Sequence, residues 1–418
     1  MDREDLLSLI ERPGAALLDG WSDSGRWTIA LPEPVEEARF GEGEDERLDA
    51  FLEAASCAAA APGRGDLPFS GGWVGYLSYE LGAAREGAEP RQENPPEPRA
   101  LFYRHDSGWA VDPAGALLRI GRESAGAASP TAIEALSGFD RADVVESLPG
   151  SSYDRAHDAI RSGIARGDYY QVNLTNRFCA RISGRPDARA LFRRMTAPLP
   201  PPYSMLLRGE GFDVVSASPE LFLRADFRTG EVEMRPIKGT APRDPDPARD
   251  AEAARRLASS RKDRAENVMI ADLCRNDLGR VCLPGTVDVP ALCRVRSHRV
   301  HHLETVVTGK LRPGVSAPGL LRSTFPPGSV TGAPKRAALS AIRELEPVAR
   351  GVYTGTAGYL DSRGTAAFNV AIRTAVATDR EIRYHAGGGI TWDSVAARER
   401  EEIGWKAGEF FDLFGGGR

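Results

Sequence analysis

Four places in this chain combine reactive side chains with a backbone able to aim them. Lys238 lies in Arg235-Pro236-Ile237-Lys238-Gly239-Thr240, after a strand-like run at 231–235. Pro236 fixes φ and Gly239 permits positive φ, so a sharp turn is expected that points one side chain inward. A lone lysine there reads first as a solvated surface group. Glu220 follows a proline and precedes apolar residues in Ser218-Pro219-Glu220-Leu221-Phe222. A carboxyl at such a dry edge has its pKa raised by desolvation and suits proton donation; the bland reading is a capping carboxylate. Asp263 with Glu266, and Glu399 with Glu402, are pairs spaced i, i+3 on predicted helices, so each pair shares one face. Either pair alone is an ordinary solvated face. Neither contains Cys or His, which disfavours zinc.

The elements that must position these groups follow from periodicity. Residues 168–175 alternate as a strand, placing Tyr169, Gln171 and Asn173 on one face. Gln171 has no titratable group and cannot serve as a base. Phe325-Pro326-Pro327-Gly328-Ser329-Val330-Thr331-Gly332-Ala333-Pro334-Lys335 fails the P-loop spacing. Its Gly-rich backbone still leads into a predicted helix at 335–345, which makes an anion site from free N–H groups. A hairpin is expected from 15–21 and 25–31, an Ala-rich helix over 48–60, and a helix over 152–167 with a Ser N-cap. Glycines alternate with aromatics at 69–81, with no G-x-G-x-x-G nucleotide fingerprint. Residues 83–99 and 121–132 read as loose surface excursions.

Composition narrows the classes. With 418 residues, 27% charged and a net charge of −5, the chain can bury a large core and shows no basic patch for nucleic acid. It has no apolar run long enough for a membrane span. Five cysteines without C-x-x-C spacing, and an opening without signal layout, fit reduced thiols in a cytoplasmic enzyme.

The motifs together resemble the chorismate-utilising enzyme family. Pro-Ile-Lys-Gly-Thr-x-Pro-Arg around Lys238 resembles the motif of the branch that aminates chorismate at C4; the anthranilate-forming branch usually carries Ala at the lysine position. Ser-Pro-Glu at 218–220, Asp272-Leu273-Cys274-Arg275-Asn276-Asp277-Leu278-Gly279-Arg280, Val300-His301-His302-Leu303 and the 325–335 loop fall in the family's order. The resemblance covers nearly the whole chain and is strongest over 152–406. It implies an α+β fold: two large antiparallel sheets packed face to face at a steep angle, flanked by helices. Residues 1–145 are expected to contribute to the sheets without forming an independent unit, and 150–416 to hold the chorismate site.

By the same resemblance, Lys238, Glu220 and His302 are expected to be catalytic: Lys238 as a covalent nucleophile, Glu220 as proton donor to the departing C4 hydroxyl, His302 near that side of the substrate. Glu266 and Glu402 are implied as direct Mg²⁺ ligands, with Asp263 and Glu399 acting through waters. Gln171, Thr286, Thr331, Gly332, Tyr359, Arg373, Gly388, Gly389 and Lys406 are implied substrate-binding residues, Tyr359 and Arg373 gripping the pyruvyl carboxylate. Gln171 stands where the isochorismate branch has a water-activating lysine. The Asp272–Arg280 run is expected to pair its charges internally and support the core. Glu304 departs from the family, where an apolar residue is usual. In Leu17-Leu18-Asp19-Gly20, Gly20 replaces the Ser of the family's tryptophan pocket, so no tryptophan inhibition is expected.

The implied reaction joins chorismate and ammonia to give 4-amino-4-deoxychorismate, towards 4-aminobenzoate and folate or an aromatic-amine secondary metabolite. No cysteine sits in a Gly-x-Cys-x-Gly elbow, so a separate glutamine amidotransferase subunit is expected to supply ammonia. Anthranilate formation is the alternative, and a non-catalytic chorismate-binding subunit the alternative of another class.

Overall fold

Ala16–Gly20, Trp27–Leu31 and Asp213–Ser218 are buried along their whole length. Strands covered on both faces have to lie between layers. The computed structural model describes residues 1–57, 67–88, 95–121, 131–134, 136 and 144–414. Their strands form two antiparallel sheets, one of eleven strands and one of ten. In the first, Gln171–Arg181 pairs with Glu381–Ile390, followed by Thr374–Ala377, Asp213–Ser218, Tyr203–Arg208 and the Ala16–Gly20/Trp27–Leu31 hairpin. In the second, Ile237–Pro242 lies at one end, followed by Val300–Lys310, Glu231–Arg235, Leu221–Asp226, Thr365–Val370, Thr356–Asp361 and Gly72–Leu77.

Alternating side chains sort into three apolar clusters. Leu18, Ile29, Val74, Leu101, Met205 and Val214 meet between the sheets. Leu17, Leu174, Leu206 and Val215 face helices outside the larger sheet, and Phe102, Leu223 and Val307 face helices outside the smaller one. Close approach needs glycine at Gly75, where a Cβ would sit 2.0 Å from the Leu101 carbonyl oxygen. This is the architecture the motifs implied: two large antiparallel sheets with helices outside. Strands of the first 145 residues pair directly with strands from beyond residue 150 in both sheets, Leu18 opposite Met205 and Gly75 opposite Gly358.

The hairpin at 16–31 forms in register, Leu18 opposite Ile29. Gly20 takes φ 95°, and a Cβ there would sit 1.9 Å from the Pro202 carbonyl oxygen, so a Ser at this position would clash. Some expected boundaries shift. The 48–60 helix runs over Asp45–Ser56, and 58–60 lie outside the described residues. The Ser151–Arg166 helix is preceded by Gly150 and has no side-chain N-cap, so Ser152 is not the cap. Of the excursion at 83–99, residues 79–85 are helical and Glu97 is a buried partner of Arg383; 89–94 lie outside the described residues. The 121–132 loop also falls mostly outside them. Among the described residues no helix is long and apolar enough to cross a membrane.

Leu18 is 1% exposed between the sheets. Leu18→Ala should lower unfolding stability by about 2–5 kcal/mol through the lost burial and the cavity left behind, read as a reduced denaturant midpoint at unchanged slope.

Candidate functional site

The chain crosses between the two sheets at Pro219-Glu220 and again at 371–373, and these crossings lie side by side. The Ser218 hydroxyl donates to the Val370 carbonyl (2.6 Å), and the Val370 N–H to the Glu220 carbonyl (3.0 Å). Glu220 is 3% exposed. Its carboxylate accepts from the Ser329 hydroxyl at 2.6 Å. Burial is the largest influence on it and lifts its pKa to about 7, against the lowering effects of Ser329, Lys238 and the Ile237 amide. The dry-edge expectation therefore holds for a physical reason: the carboxyl is buried at a sheet-to-sheet crossing.

Lys238 is carried by Ile237–Pro242, not by a free turn. The register against Val300–Lys310 slips between Lys238 and Thr240, a β-bulge that re-aims the side chain. Gly239 has φ 77°, and a Cβ there would press on Asp263 at 2.8 Å. Lys238 is half-buried. Burial lowers its pKa, helped by Lys406, while Glu266, Glu220 and Glu402 oppose the shift. Burial wins, a balance the sequence leaves open.

The two carboxylate pairs sit on the helices Arg261–Gly279 and Ala396–Lys406. Glu266 lies within electrostatic range of Lys238, Asp263 and Glu399, so the two helices converge on the lysine. Burial, chiefly, raises the Glu266 pKa. Burial also pushes Glu402 up, but Lys406 outweighs it: Nζ stands 2.7 Å from Glu402 Oε1 and holds the carboxylate below its usual range. Asp263 accepts a short bond from the Ser260 hydroxyl at the helix start. Among the described residues, no three or more His, Cys, Asp or Glu side chains are grouped tightly enough to hold a metal by themselves. An oxygen-only donor set of a few carboxylates fits a hard divalent cation that retains waters and takes a substrate oxygen, as magnesium does.

Gln171 is fully buried, and neither its amide oxygen nor its nitrogen has a partner. A buried unpaired amide is costly, and both polar atoms of this side chain are open to bond a polar group. Gly389 makes room for it: a Cβ there would lie 2.0 Å from Gln171 Nε2. Gly388 does the same for Glu399, at 3.1 Å from Oε2. Gly332 pairs with Val172, and a Cβ on it would strike the Gln171 carbonyl at 2.2 Å. Thr331 is also here, but its hydroxyl donates to the Pro327 carbonyl and closes the loop on itself. Tyr169 lies before the Gln171–Arg181 strand and folds back on Gly163 of the preceding helix, so only Gln171 and Asn173 share the expected face.

His302 lies opposite Thr240, beside the lysine bulge, with Nδ1 unpartnered. Burial, with the cationic surroundings of Arg373 and the neighbouring histidines, brings its pKa down to about 4, so the ring is neutral near pH 7. Arg373 adopts φ 52° at the second crossing, and its Nη1 donates to the Lys406 carbonyl at 3.1 Å. Thr354 has φ 59° nearby, and its N–H donates to the Ala371 carbonyl. Left-handed backbone in a β-branched residue and an arginine is strain of the kind that gathers at functional sites.

Three expected placements change. Tyr359 is packed in the inter-sheet core against Trp21 and Phe69, where alternation along Thr356–Asp361 sends it. The tyrosine next to Arg373 is Tyr353, stacked on His385 at 5.0 Å. Its signal was its place just before the strand, at the glycine-bounded turn Gly351-Val352-Tyr353. Thr286 sits in a surface loop and bonds the Leu283 carbonyl, away from the cleft. The Asp272–Arg280 run does not hold the core through internal pairs: Asp272 and Arg275 pair on the surface, while buried Asp277 reaches Lys335 at 2.7 Å. That pairing commits the Lys335 amine to Asp277 and the Thr324 carbonyl, not to an open anion site. Glu304 stays buried because Arg294 bonds it at 2.8 Å. Ser329, quoted within its motif, emerges as the hydroxyl on Glu220.

Ser329→Ala should remove the donated bond that lowers the Glu220 pKa. If protonated Glu220 is the working form, activity falls as pH rises through its pKa. The descending limb of chorismate consumption should then move to higher pH than in the wild-type chain, which a pH–rate profile reads directly.

Comparison with known proteins bears on the fold and the family. Residues 20–412 match the chorismate binding enzyme family. The chain is 35% identical to aminodeoxychorismate synthase component 1 of Escherichia coli (strain K12), covering 93% of this chain and 91% of that one. It is 39% identical to anthranilate synthase component 1 of Streptomyces coelicolor, over 82% of this chain and 73% of that one. Among solved structures, anthranilate synthase component I from Streptococcus pneumoniae superposes with a TM-score of 0.81 at 27% identity, covering 93% of both chains. The menaquinone-specific isochorismate synthase of Escherichia coli shares the fold, with a TM-score of 0.74 at 18% identity over 99% of this chain and 91% of that one. With two sheets, a cleft at their crossings and a family match along almost its whole length, the chain belongs to the chorismate binding enzyme family.

Proposed function

We propose that this enzyme aminates chorismate at C4, as an aminodeoxychorismate synthase component I. The observation that carries the reading is Lys238: a desolvated amine at the cleft, beside a buried carboxyl with a pKa near 7. Free lysine is neutral in only about one molecule in a thousand near pH 7.4, so lowering its pKa is what a lysine nucleophile needs. The lysine nitrogen forms a bond to C2 as both conjugated ring double bonds shift. The C4–oxygen bond breaks, and the Glu220 proton leaves with the hydroxyl as water. Ammonia then bonds to C4, both double bonds shift back, the C2–lysine bond breaks to free the amine, and the surplus proton on the new nitrogen returns to Glu220. Gln171 in place of a titratable base leaves water unactivated at C2. Glu266 and Glu402 would hold magnesium, which would supply positive charge to neutralise the ring carboxylate. Arg373, with its bidentate fork, suits a carboxylate of the substrate. The ammonia source in this reading is a separate glutamine amidotransferase.

Anthranilate formation is the second reading, favoured by the 39% identity to an anthranilate synthase component 1. Chorismate, Mg²⁺ and ammonium supplied together separate them: anthranilate fluoresces, while 4-amino-4-deoxychorismate needs a lyase before an aromatic product appears. Binding without turnover would leave a non-catalytic subunit.

Glu266→Gln and Glu402→Gln should each nearly abolish turnover and weaken magnesium binding by titration calorimetry; full activity of either in trace metal would remove the metal assignment. Chorismate and Mg²⁺ without ammonia should leave an adduct of chorismate minus water on Lys238, found by peptide mass spectrometry. Lys238→Arg keeps the charge but is no nucleophile near neutral pH. Normal turnover by that variant, with no adduct in the wild type, would overturn the covalent route.

A further inference from the structure

Arg350 is 3% exposed and touches none of the groups assigned to chemistry. Its fork has five N–H donors, and each has an acceptor. Nε and Nη2 grip Glu346 at 2.9 and 2.7 Å. Nη1 donates to the Val330 carbonyl at 2.9 Å and the Thr354 hydroxyl at 3.2 Å, and Nη2 also to the Asn173 carbonyl at 3.0 Å. The Tyr79 ring covers one face of the guanidinium, 4.6 Å from its centroid. Glu346 Oε1 further accepts the Thr175 N–H at 2.9 Å. The Glu80 carboxylate accepts the Arg350 and Gly351 N–H groups and fixes the backbone beneath.

A buried Arg–Glu pair is weak evidence for stability, because well-packed apolar residues often do as well. Apolar residues cannot donate to carbonyls on two separate walls. Val330 belongs to the 325–334 arch, next to Ser329. Asn173 and Thr175 belong to the strand that carries Gln171. Asn173 closes the circuit: its Nδ2 donates to the Ser329 carbonyl at 3.1 Å and its N–H to the Thr331 carbonyl at 2.8 Å. The Ser329 hydroxyl then reaches Glu220. We propose that Arg350, held by Glu346, is a positioning residue that sets the spacing between the 325–334 arch and the Gln171–Arg181 strand, and so aims the Ser329 hydroxyl at Glu220. Its consequence for activity rests on the chorismate chemistry proposed for this cleft.

Arg350→Lys tests it. The ammonium keeps the charge beside Glu346 but lacks the planar fork that spans both walls. Chorismate consumption with Mg²⁺ and ammonium should lose about tenfold or more in kcat, with KM roughly unchanged. Its descending pH limb should move upward, in the direction of Ser329→Ala. The other groups facing Glu220 (Lys238, Glu304, Cys274 and the Ile237 amide) are untouched by the substitution. Hydrogen exchange should quicken locally, at the amides of 329–331 and 173–175. A purely structural role would lower Tm without moving the limb or localising the exchange. If Arg350→Lys does not melt cooperatively, Glu346→Gln is read the same way, with a smaller shift in the same direction. A wild-type limb and unchanged exchange in the folded variant overturn the proposal. So does failure of both variants to fold, which makes the pair a requirement of the whole fold. A wild-type chain that leaves chorismate intact removes the functional reading instead, and the exchange arm still decides the positioning.

Discussion

Glu220 has to stay dry without being left unpartnered, and much of the site is arranged around that constraint. Two wide sheets share one core, so a polar group between them has water on neither side. The chain passes from one sheet to the other at Pro219-Glu220 and at 371–373, and there the strand ladders are interrupted. Ser218, Val370, Ser329 and the Ile237 amide supply the hydrogen bonds that the ladders no longer provide. The carboxyl is thereby held in one place with a raised proton affinity. Reactive groups collect at the crossings because these are the positions where a large double sheet lets side chains converge from both layers.

Much of this was legible in the sequence, for reasons that differ by residue. The run at 231–235 alternates cleanly and forms a strand with the expected bounds. The carboxylate pairs lie on helices because their spacing follows the helical repeat. Glycines at 239, 388 and 389 mark real close approaches, since a Cβ at each would press on Asp263, Glu399 or Gln171. What sequence could not give was the identity of partners distant along the chain. Nothing in the residues around Lys335 announces that Asp277, 58 residues away, claims its amine. The family resemblance points to Tyr359 beside Arg373; strand alternation sends Tyr359 into the core, and Tyr353 stands at the bend instead. Arg350 and Glu346 carried no motif at all. Their role comes from carbonyl oxygens on other segments, and backbone acceptors leave no trace in residue type.

The charges of the cleft are balanced so that one side controls the other. Lys238 is pushed towards the neutral amine by burial and by Lys406, and towards the ammonium by Glu266, Glu220 and Glu402. Lys406 already offsets Glu402 at 2.7 Å, while Lys262 stands 3.9 Å from Glu266 in a more exposed position. Protonated Glu220 contributes no attraction for an ammonium, and its pKa near 7 makes that form common at neutral pH. A cation held by Glu266 and Glu402, as proposed, would offset their pull on the lysine proton and lower the proton affinity of Lys238 further. In that proposal, filling the carboxylate side of the cleft and freeing the amine would be one electrostatic event, by which a lysine among three acidic neighbours could still act as the nucleophile.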